Sequence, residues 1–171
     1  ERGFDRFIGC LQGSRPYLEM EEPTPHRVIL RDREPTPEEG YVTDRFGDAA
    51  VEFIEAEREG PFFLFVSFTA PHGPLQPRPG DVELPELASI EKKRRRDYAG
   101  LVKAMDDNVG KILAALEREG IAGETLVIFT NDNGGQTLTA AVNLPLRGRK
   151  GELYEGGIRV PGFISWPGRI A

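Results

Sequence analysis

The sequence has 171 residues, of which 39% are hydrophobic and 29% are charged, and its formal net charge is −6. This composition is typical of a globular protein with a substantial core, and the length suits one domain or a large piece of one. The acidic balance argues against nucleic acid as a partner, and no apolar run reaches membrane-spanning length. The single cysteine, Cys10, excludes an internal disulfide framework.

The first third of the chain predicts one helix after an irregular region. Residues 2–17 have an aromatic and glycine pattern typical of a turn or short strand. Residues 19–40 are rich in Pro, Glu and Arg and predict a surface excursion with a short strand at 28–30. Residues 43–59 predict a helix, capped by Thr43 or Asp44 and stopped at Gly60, with the apolar stripe Phe46, Ala49, Ala50, Phe53 and Ile54.

The remainder predicts three strands and a long helix. Residues 62–68 form a continuous apolar run, which indicates a central strand buried on both faces. A proline-rich loop leads to a helix over 90–119, which ends at a C′ glycine and has the apolar stripe Tyr98, Leu101, Val102, Met105, Val109, Ile112, Leu113 and Leu116. Further strands are predicted at 125–130, which is buried, and at 159–166, nearer an edge.

The order of strand, long helix and strand implies a parallel pair, so we expect an α/β fold with largely parallel central strands flanked by helices. In such sheets, ligands bind beyond the carboxyl ends of the strands. The loops after Phe68 and Thr130 both leave carboxyl ends, so we expect them to lie on one rim.

The loop after Thr130 begins with Asp132, Asn133 and two glycines. A carboxylate and an amide carbonyl are hard ligands suited to Ca²⁺ or Mg²⁺, and the glycines allow a turn with positive φ. The same residues are also common in turns that bind nothing. Their position after a buried strand and before the block around Lys150 favours metal binding.

The loop after Phe68 displays His72 between two prolines. Histidine titrates near neutral pH, so His72 could protonate a leaving oxygen or bind an oxyanion. His26, in the excursion at 19–40, is interpreted as structural or merely exposed.

A glycine-rich basic loop contains Arg147, Arg149 and Lys150. Lys150 offers a compact charge for an oxygen of sulfate or phosphate. The two arginines either bind further substrate anions or are simply solvated. Two other clusters are interpreted as structural: the basic run 92–96, a solvated face or a pocket rim, and the pair at 106–107, of which at most one carboxylate faces the core.

Five blocks resemble the arylsulfatase-type sulfatases of the alkaline-phosphatase-like superfamily, over nearly the whole chain. In order they are Gly-Phe-Asp-Arg-Phe-x-Gly from Gly3; Ala-Pro-His-x-Pro from Ala70; Tyr-Ala-Gly-x-Val-x-x-Met-Asp-x-x-Val-Gly from Tyr98; Phe-Thr-Asn-Asp-Asn-Gly-Gly from Phe129; and Leu-Arg-Gly-x-Lys-Gly-x-Leu-Tyr-Glu-Gly-Gly-Ile-Arg-Val-Pro from Leu146.

The resemblance implies a metal-dependent sulfuric ester hydrolase with an alkaline-phosphatase-like sheet. Asp132 and Asn133 would ligate Ca²⁺, with Mg²⁺ possible, and His72 and Lys150 would contact the sulfate ester and assist departure of the alcohol. Arg147 is a further candidate for substrate binding. The substrate would be a small sulfate ester or a sulfated glycan, and the resemblance suggests an exported protein, with a cytoplasmic one not excluded.

The family nucleophile is a formylglycine made from Cys or Ser within Cys/Ser-x-Pro/Ala-x-Arg. Cys10 lies in Cys-Leu-Gln-Gly-Ser-Arg, which lacks the proline, and it follows the Gly-Phe-Asp block. We therefore expect residues 1–171 to be a partial catalytic domain, inactive alone, with the nucleophile and remaining metal ligands upstream. The alternatives are a phosphoesterase or phosphonate hydrolase of the same superfamily, or a non-catalytic binding protein.

Overall fold

The computed structural model describes residues 3–56 and 60–170. Three short antiparallel strands come first: β1 (Ile8–Gly9), β2 (Leu30–Arg31) and β3 (Glu34–Pro35), in the order β1-β2-β3. The helices are α1 (Val42–Glu55), α2 (Pro85–Ala88), α3 (Lys93–Arg118) and α4 (Glu155–Ile158), and the last two strands are β4 (Val127–Thr130) and β5 (Gly162–Ser165).

The two long helices form within a few residues of their predicted positions. The predicted end of the first helix, 57–59, lies outside the described residues, and α1 begins after Tyr41 without a side-chain cap, so capping by Thr43 or Asp44 was wrong. Gly120 has φ +70° and directly follows the Glu119 cap of α3, as a glycine ending a helix should.

The face by which α3 packs matches the predicted stripe in part, since Leu101 and Leu116 are buried and Met105 and Ile112 pack against the clusters. Leu113 is 40% exposed, whereas Ala104 and Asn108 are fully buried. A Cβ atom at Gly47 of α1 would lie 2.0 Å from the Asn108 side chain, and Asn108 Nδ2 donates to Asp44 at 2.7 Å. Small residues and a paired amide therefore form the contact between α1 and α3, because they let the two backbones approach closely.

The predicted parallel pairing is not seen among the described residues. Residues 61–69 join no ladder, although exposure alternates along 61–68, while β4 pairs antiparallel with β5, Val127 opposite Ser165. Burial of these segments on both faces was also wrong, since Phe63 and Ile128 are 74% and 64% exposed. Phe62, Leu64 and Val127 pack towards the helices, so one face of the strands is covered.

Two hydrophobic clusters lie between the strands and the helices. One surrounds Leu101 and includes the stacked rings of Tyr17 and Tyr41, and the other surrounds Ile54 and Leu116. Within the described ranges no helix has the length and apolar character needed to cross a membrane. The first cluster supports the loop after residue 68, and the second supports β4, so both candidate loops start from packed structure.

Candidate active site

The turn after β4 presents two oxygen-bearing side chains. Asp132 is exposed, and its carboxylate has no hydrogen bond or ion pair with the described part of the chain. Asn133 is half-buried, and its Nδ2 donates to the carbonyl of Gly134 at 2.9 Å, which directs the amide nitrogen to the backbone. The Oδ1 atom of Asn133 and the Asp132 carboxylate therefore remain available to a ligand.

Glycines hold this turn directly against the loop that carries Lys150. Gly134 N donates to Gly157 O at 2.9 Å, and Gly135 O accepts from Lys150 N at 3.3 Å. A Cβ atom at Gly134 would lie 1.8 Å from Gly156 O, a distance that no side chain can tolerate. The glycines thus act by permitting backbone contact, and they bring the Asp132 turn beside Lys150.

Asn143 fastens the same two loops from the other side, and the sequence interpretation missed it. Its Oδ1 accepts from Gly135 N at 2.9 Å, while its Nδ2 donates to Gly135 O at 2.8 Å and to Gly148 O at 3.1 Å. The Asn143 side chain therefore supplies hydrogen-bond partners to backbone groups of both loops, which pair with each other only in part. The only local signal was an asparagine shortly before Pro145 in a turn-rich segment.

The three cations of the loop 147–150 have different surroundings. Arg147 Nη2 donates to the Tyr154 hydroxyl at 2.9 Å and its guanidinium stacks 3.8 Å from that ring centroid. Arg149 pairs with Glu152 at 3.3 Å. The half-buried Lys150 side chain forms neither a hydrogen bond nor an ion pair with the described residues, so its charge is left for an anion.

The His72 loop lies beside the loop that follows the Asp132 turn. A Cβ atom at Gly73 would lie 3.6 Å from Thr139 Cγ2, so the two loops lie close to each other. The exposed His72 ring has Nδ1 2.9 Å from Gly73 O, a contact that favours a proton on Nδ1 and leaves Nε2 directed elsewhere.

Tyr17 anchors the His72 loop, a role that no sequence pattern indicated. Its hydroxyl lies 2.8 Å from both Thr69 O and His72 O and donates between them, and the residue is 1% exposed. Burial raises the pKa of Tyr17 well above its usual value, against the opposing hydrogen bond to Thr69, so the hydroxyl keeps its proton. Gln76 Oε1 accepts from Tyr17 N at 2.9 Å and ties a second point of the loop.

A partly buried ionic cluster supports the end of that loop. Arg78 bonds Asp44 and Asp81, each at 3.1 Å, and Asp107, which also accepts from Lys103. Burial disfavours ionised Asp107, but the bonds from Lys103 and Arg78 outweigh it and lower its pKa. As expected, one carboxylate of the 106–107 pair faces inward and makes structural bonds.

The donor chemistry of the Asp132 turn fits part of a Ca²⁺ or Mg²⁺ site. Both available groups are hard oxygens, and Ca²⁺ takes about six to eight such ligands. Among residues 3–56 and 60–170, no group of three or more His, Cys, Asp or Glu side chains is placed to hold a metal. Asp132 and Asn133 would therefore fill one side of a coordination sphere that needs further ligands.

The comparisons with known proteins agree on one family. A family model described as Sulfatase matches residues 1–171. Arylsulfatase J of Mus musculus is 34% identical over 98% of this chain and 29% of its own length, and a Sulfatase of Formosa agariphila is 41% identical over 76% of this chain and 26% of its own length.

The solved structures give the same result. The crystal structure of Ps i-CgsB in complex with k-i-k-neocarrahexaose superposes with a TM-score of 0.88 at 33% sequence identity, covering 98% of this chain and 40% of that one. The neighbours therefore imply the α/β, alkaline-phosphatase-like architecture, of which this chain spans less than half. Since the family model covers every residue, the chain belongs to the sulfatase family.

Proposed function

We propose that the protein carrying this chain is a metal-dependent sulfuric ester hydrolase. One observation supports this most directly: glycine packing joins the Asp132 turn to the loop of Lys150, whose side chain has no partner among the described residues. Two hard oxygen donors and an unneutralised cation on adjacent loops suit a tetrahedral oxyanion. This arrangement occurs in a chain that the sulfatase model matches throughout.

Asp132 and Asn133 would hold Ca²⁺, with Mg²⁺ as the alternative, and a bound divalent cation would neutralise charge on the sulfate oxygens. Lys150 would hold another sulfate oxygen through its ammonium group. Because its backbone N–H is bonded to Gly135 O, the main chain that carries the Lys150 side chain is fixed relative to the metal turn. A bound sulfate would then hold the ammonium group in place, where it stabilises charge that develops in the transition state.

His72 would donate the proton that the leaving alcohol oxygen needs. The contact between Nδ1 and Gly73 O orients the ring, so that the acidic proton of the imidazolium would reside on Nε2. The carbonyl of His72 is in turn held by the Tyr17 hydroxyl, so the ring is carried by an anchored backbone.

We assign the nucleophile to a formylglycine outside these 171 residues, following the family pattern. Such a group would supply the hydroxyl that attacks sulfur. Cys10 does not match the pattern, and it lies after β1, where its Sγ contacts Gln12 O at 3.3 Å.

The substrate class we favour is a sulfated glycan or a small sulfate ester. A relative, the N-acetylgalactosamine-6-sulfatase of Mus musculus, is 34% identical over 78% of this chain, and Ps i-CgsB was solved with k-i-k-neocarrahexaose. Both names refer to carbohydrates, which favours a carbohydrate substrate. Arg147, which is exposed, would add contacts to it.

The rival functions are a phosphoesterase or phosphonate hydrolase, since the same groups would hold a phosphoryl centre, and a non-catalytic binding protein. The test is hydrolysis of matched 4-nitrophenyl sulfate, phosphate and phenylphosphonate esters by the full-length protein, before and after treatment with a calcium chelator. The proposal predicts a preference for the sulfate that is lost with the metal and restored by Ca²⁺. A preference for either phosphorus ester, or no turnover of any ester, would overturn it.

A further inference from the structure

The first turn of α3 concentrates positive charge that this acidic chain does not neutralise. Residues 92–96 are five consecutive basic residues. Lys93 pairs with Asp97 at 2.6 Å, but the side chains of Lys92, Arg94 and Arg96 form no hydrogen bond or ion pair with the described residues. Unpaired cations crowded into one turn repel one another, and an anion would relieve that repulsion.

Lys92 is the N-cap residue of α3, and Arg95 and Arg96 lie in the first turn of the helix. Residues three and four positions apart come close together at a helix start, so these three residues form one basic face. Arg95 shows where this face points, because its Nη1 donates to Ala140 O at 2.9 Å. Its guanidinium also lies 5.2 Å from the ring centroid of Tyr98, which orients the group. The face therefore borders the loop that contains Ala140.

That loop also borders the proposed active site. Thr139, next to Ala140, lies close to Gly73 beside His72, because a Cβ atom built on that glycine would be 3.6 Å from Thr139 Cγ2. At the other end of the loop, Thr137 accepts a hydrogen bond from Arg149 at 3.1 Å, immediately before Lys150. The basic face and the ester site thus lie on two sides of one short loop.

We propose that Lys92, Arg95 and Arg96 form an accessory subsite that binds a second sulfate group of a polysulfated oligosaccharide. The first sulfate, the one hydrolysed, would lie at the site of Lys150. This assignment rests on the proposed sulfatase function. Planar guanidinium groups suit a sulfate because they donate two parallel hydrogen bonds, and an exposed cluster of this kind binds in a strongly salt-dependent way.

The test compares Arg96→Gln with Arg94→Gln in the full-length protein. Both variants remove one charge from the same turn, but residue 94 lies about 200° around the helix from residue 96. With an oligosaccharide bearing two or more sulfates, Arg96→Gln should raise KM about three- to fivefold and leave kcat unchanged, as expected for one exposed ion pair. Arg94→Gln should change KM less than twofold, and neither variant should alter KM for 4-nitrophenyl sulfate.

Lys111→Gln is a second control, from a distant part of the same helix. It removes a charge paired with Asp48, about 22 Å along α3 from residue 96, and should behave like the unmodified protein. Equal effects of the 94 and 96 variants, or an equal effect of Arg96→Gln on the monosulfated substrate, would overturn the subsite.

Calorimetric titration of the chelator-treated full-length protein with the same oligosaccharide measures binding without turnover. Arg96→Gln should weaken binding three- to fivefold, and a single-stranded oligonucleotide of equal charge should bind more weakly than the oligosaccharide. Equal binding of both polyanions would show a general polyanion surface and refute the subsite. If the unmodified protein hydrolyses no sulfate ester, the proposed function fails, and this titration still decides whether Arg96 binds the oligosaccharide.

Discussion

Replacing Gly134 by alanine should separate the two loops of the candidate site. The new Cβ atom would lie 1.8 Å from Gly156 O and 2.9 Å from Gly157 Cα, whereas ordinary contacts begin at 3.4 Å. The backbones must therefore move apart by more than an ångström, which breaks the bond from Gly134 N to Gly157 O. Overpacking costs about 1–3 kcal/mol and the lost hydrogen bond about 0.5–1.5 kcal/mol, so we expect a loss of roughly 2–4 kcal/mol.

The assay is thermal unfolding of the full-length protein, followed by calorimetry, together with amide hydrogen exchange over residues 131–158. A loss of this size should lower Tm by roughly 4–16 °C if the unit that unfolds has 150–250 residues. Exchange at residues 134, 150 and 157 should accelerate, because their amides take part in the contact or lie beside it.

Gly110→Ala is the matched control, because Gly110 lies exposed inside α3 and a Cβ atom there meets nothing within 4 Å. Alanine should stabilise the helix by about 0.5–1 kcal/mol, so the control shifts Tm in the opposite direction. An unchanged Tm and unchanged exchange in Gly134→Ala would refute the glycine contact between the loops.

Three other outcomes follow from the anchored loop, the ionic cluster and the candidate acid. Tyr17→Phe should lower the free energy of unfolding by about 1–3 kcal/mol and accelerate hydrogen exchange at the amide of His72, because it removes a buried hydroxyl that two carbonyls share. Calorimetry and exchange measurements should show neither effect in the control, Tyr98→Phe. The pKa of Asp107 lies below its usual 3.8, so its stabilisation is present above that value and is lost as the pH falls through the lower folded pKa. The fall in Tm between about pH 5 and about pH 3 should therefore be smaller in Asp107→Asn than in the control Asp106→Asn, and an identical fall would contradict this reasoning. His72→Ala should slow esters with strongly basic leaving groups more than those with good ones, and a uniform loss across a leaving-group series would leave His72 only a binding role.

The helices were predictable because their signals are local. The apolar period and the glycine at 120 place α3 within three residues of its observed start and one of its end. Its packing face was predicted only in part: Leu101 and Leu116 are buried as expected, whereas burial of Ala104 and Asn108 depends on Gly47 and Asp44 of another helix. Strand pairing is similarly non-local: the strand predicted at 62–68 joins no ladder among the described residues, and its exposed face was not predicted.

In the candidate site, too, the features with local sequence signals were predicted and the non-local contacts were not. Asp132, Asn133, His72 and Lys150 were selected by residue chemistry and loop position, and their roles stay predictions. The structure joins the Asp132 turn to the Lys150 loop by backbone hydrogen bonds and places the His72 loop near Thr139. The contacts that hold those loops came only from the structure. Asn143 and Tyr17 act through backbone carbonyls, and an amide or hydroxyl that binds a distant backbone leaves no pattern in the sequence.

The most direct test of the proposed function is to measure hydrolysis of a sulfate ester by the Lys150→Ala variant of the full-length protein. Lys111→Ala, which also removes one lysine, is the matched control. The unpartnered ammonium of Lys150 is proposed to stabilise charge in the transition state, and loss of such a group typically lowers kcat by about 10²–10³. We expect a fall of this order in kcat/KM for 4-nitrophenyl sulfate, with Tm within about 2 °C of the unmodified protein, and near-normal kinetics for the control. Near-normal turnover by Lys150→Ala would contradict the account and make Lys150 a solvated surface residue.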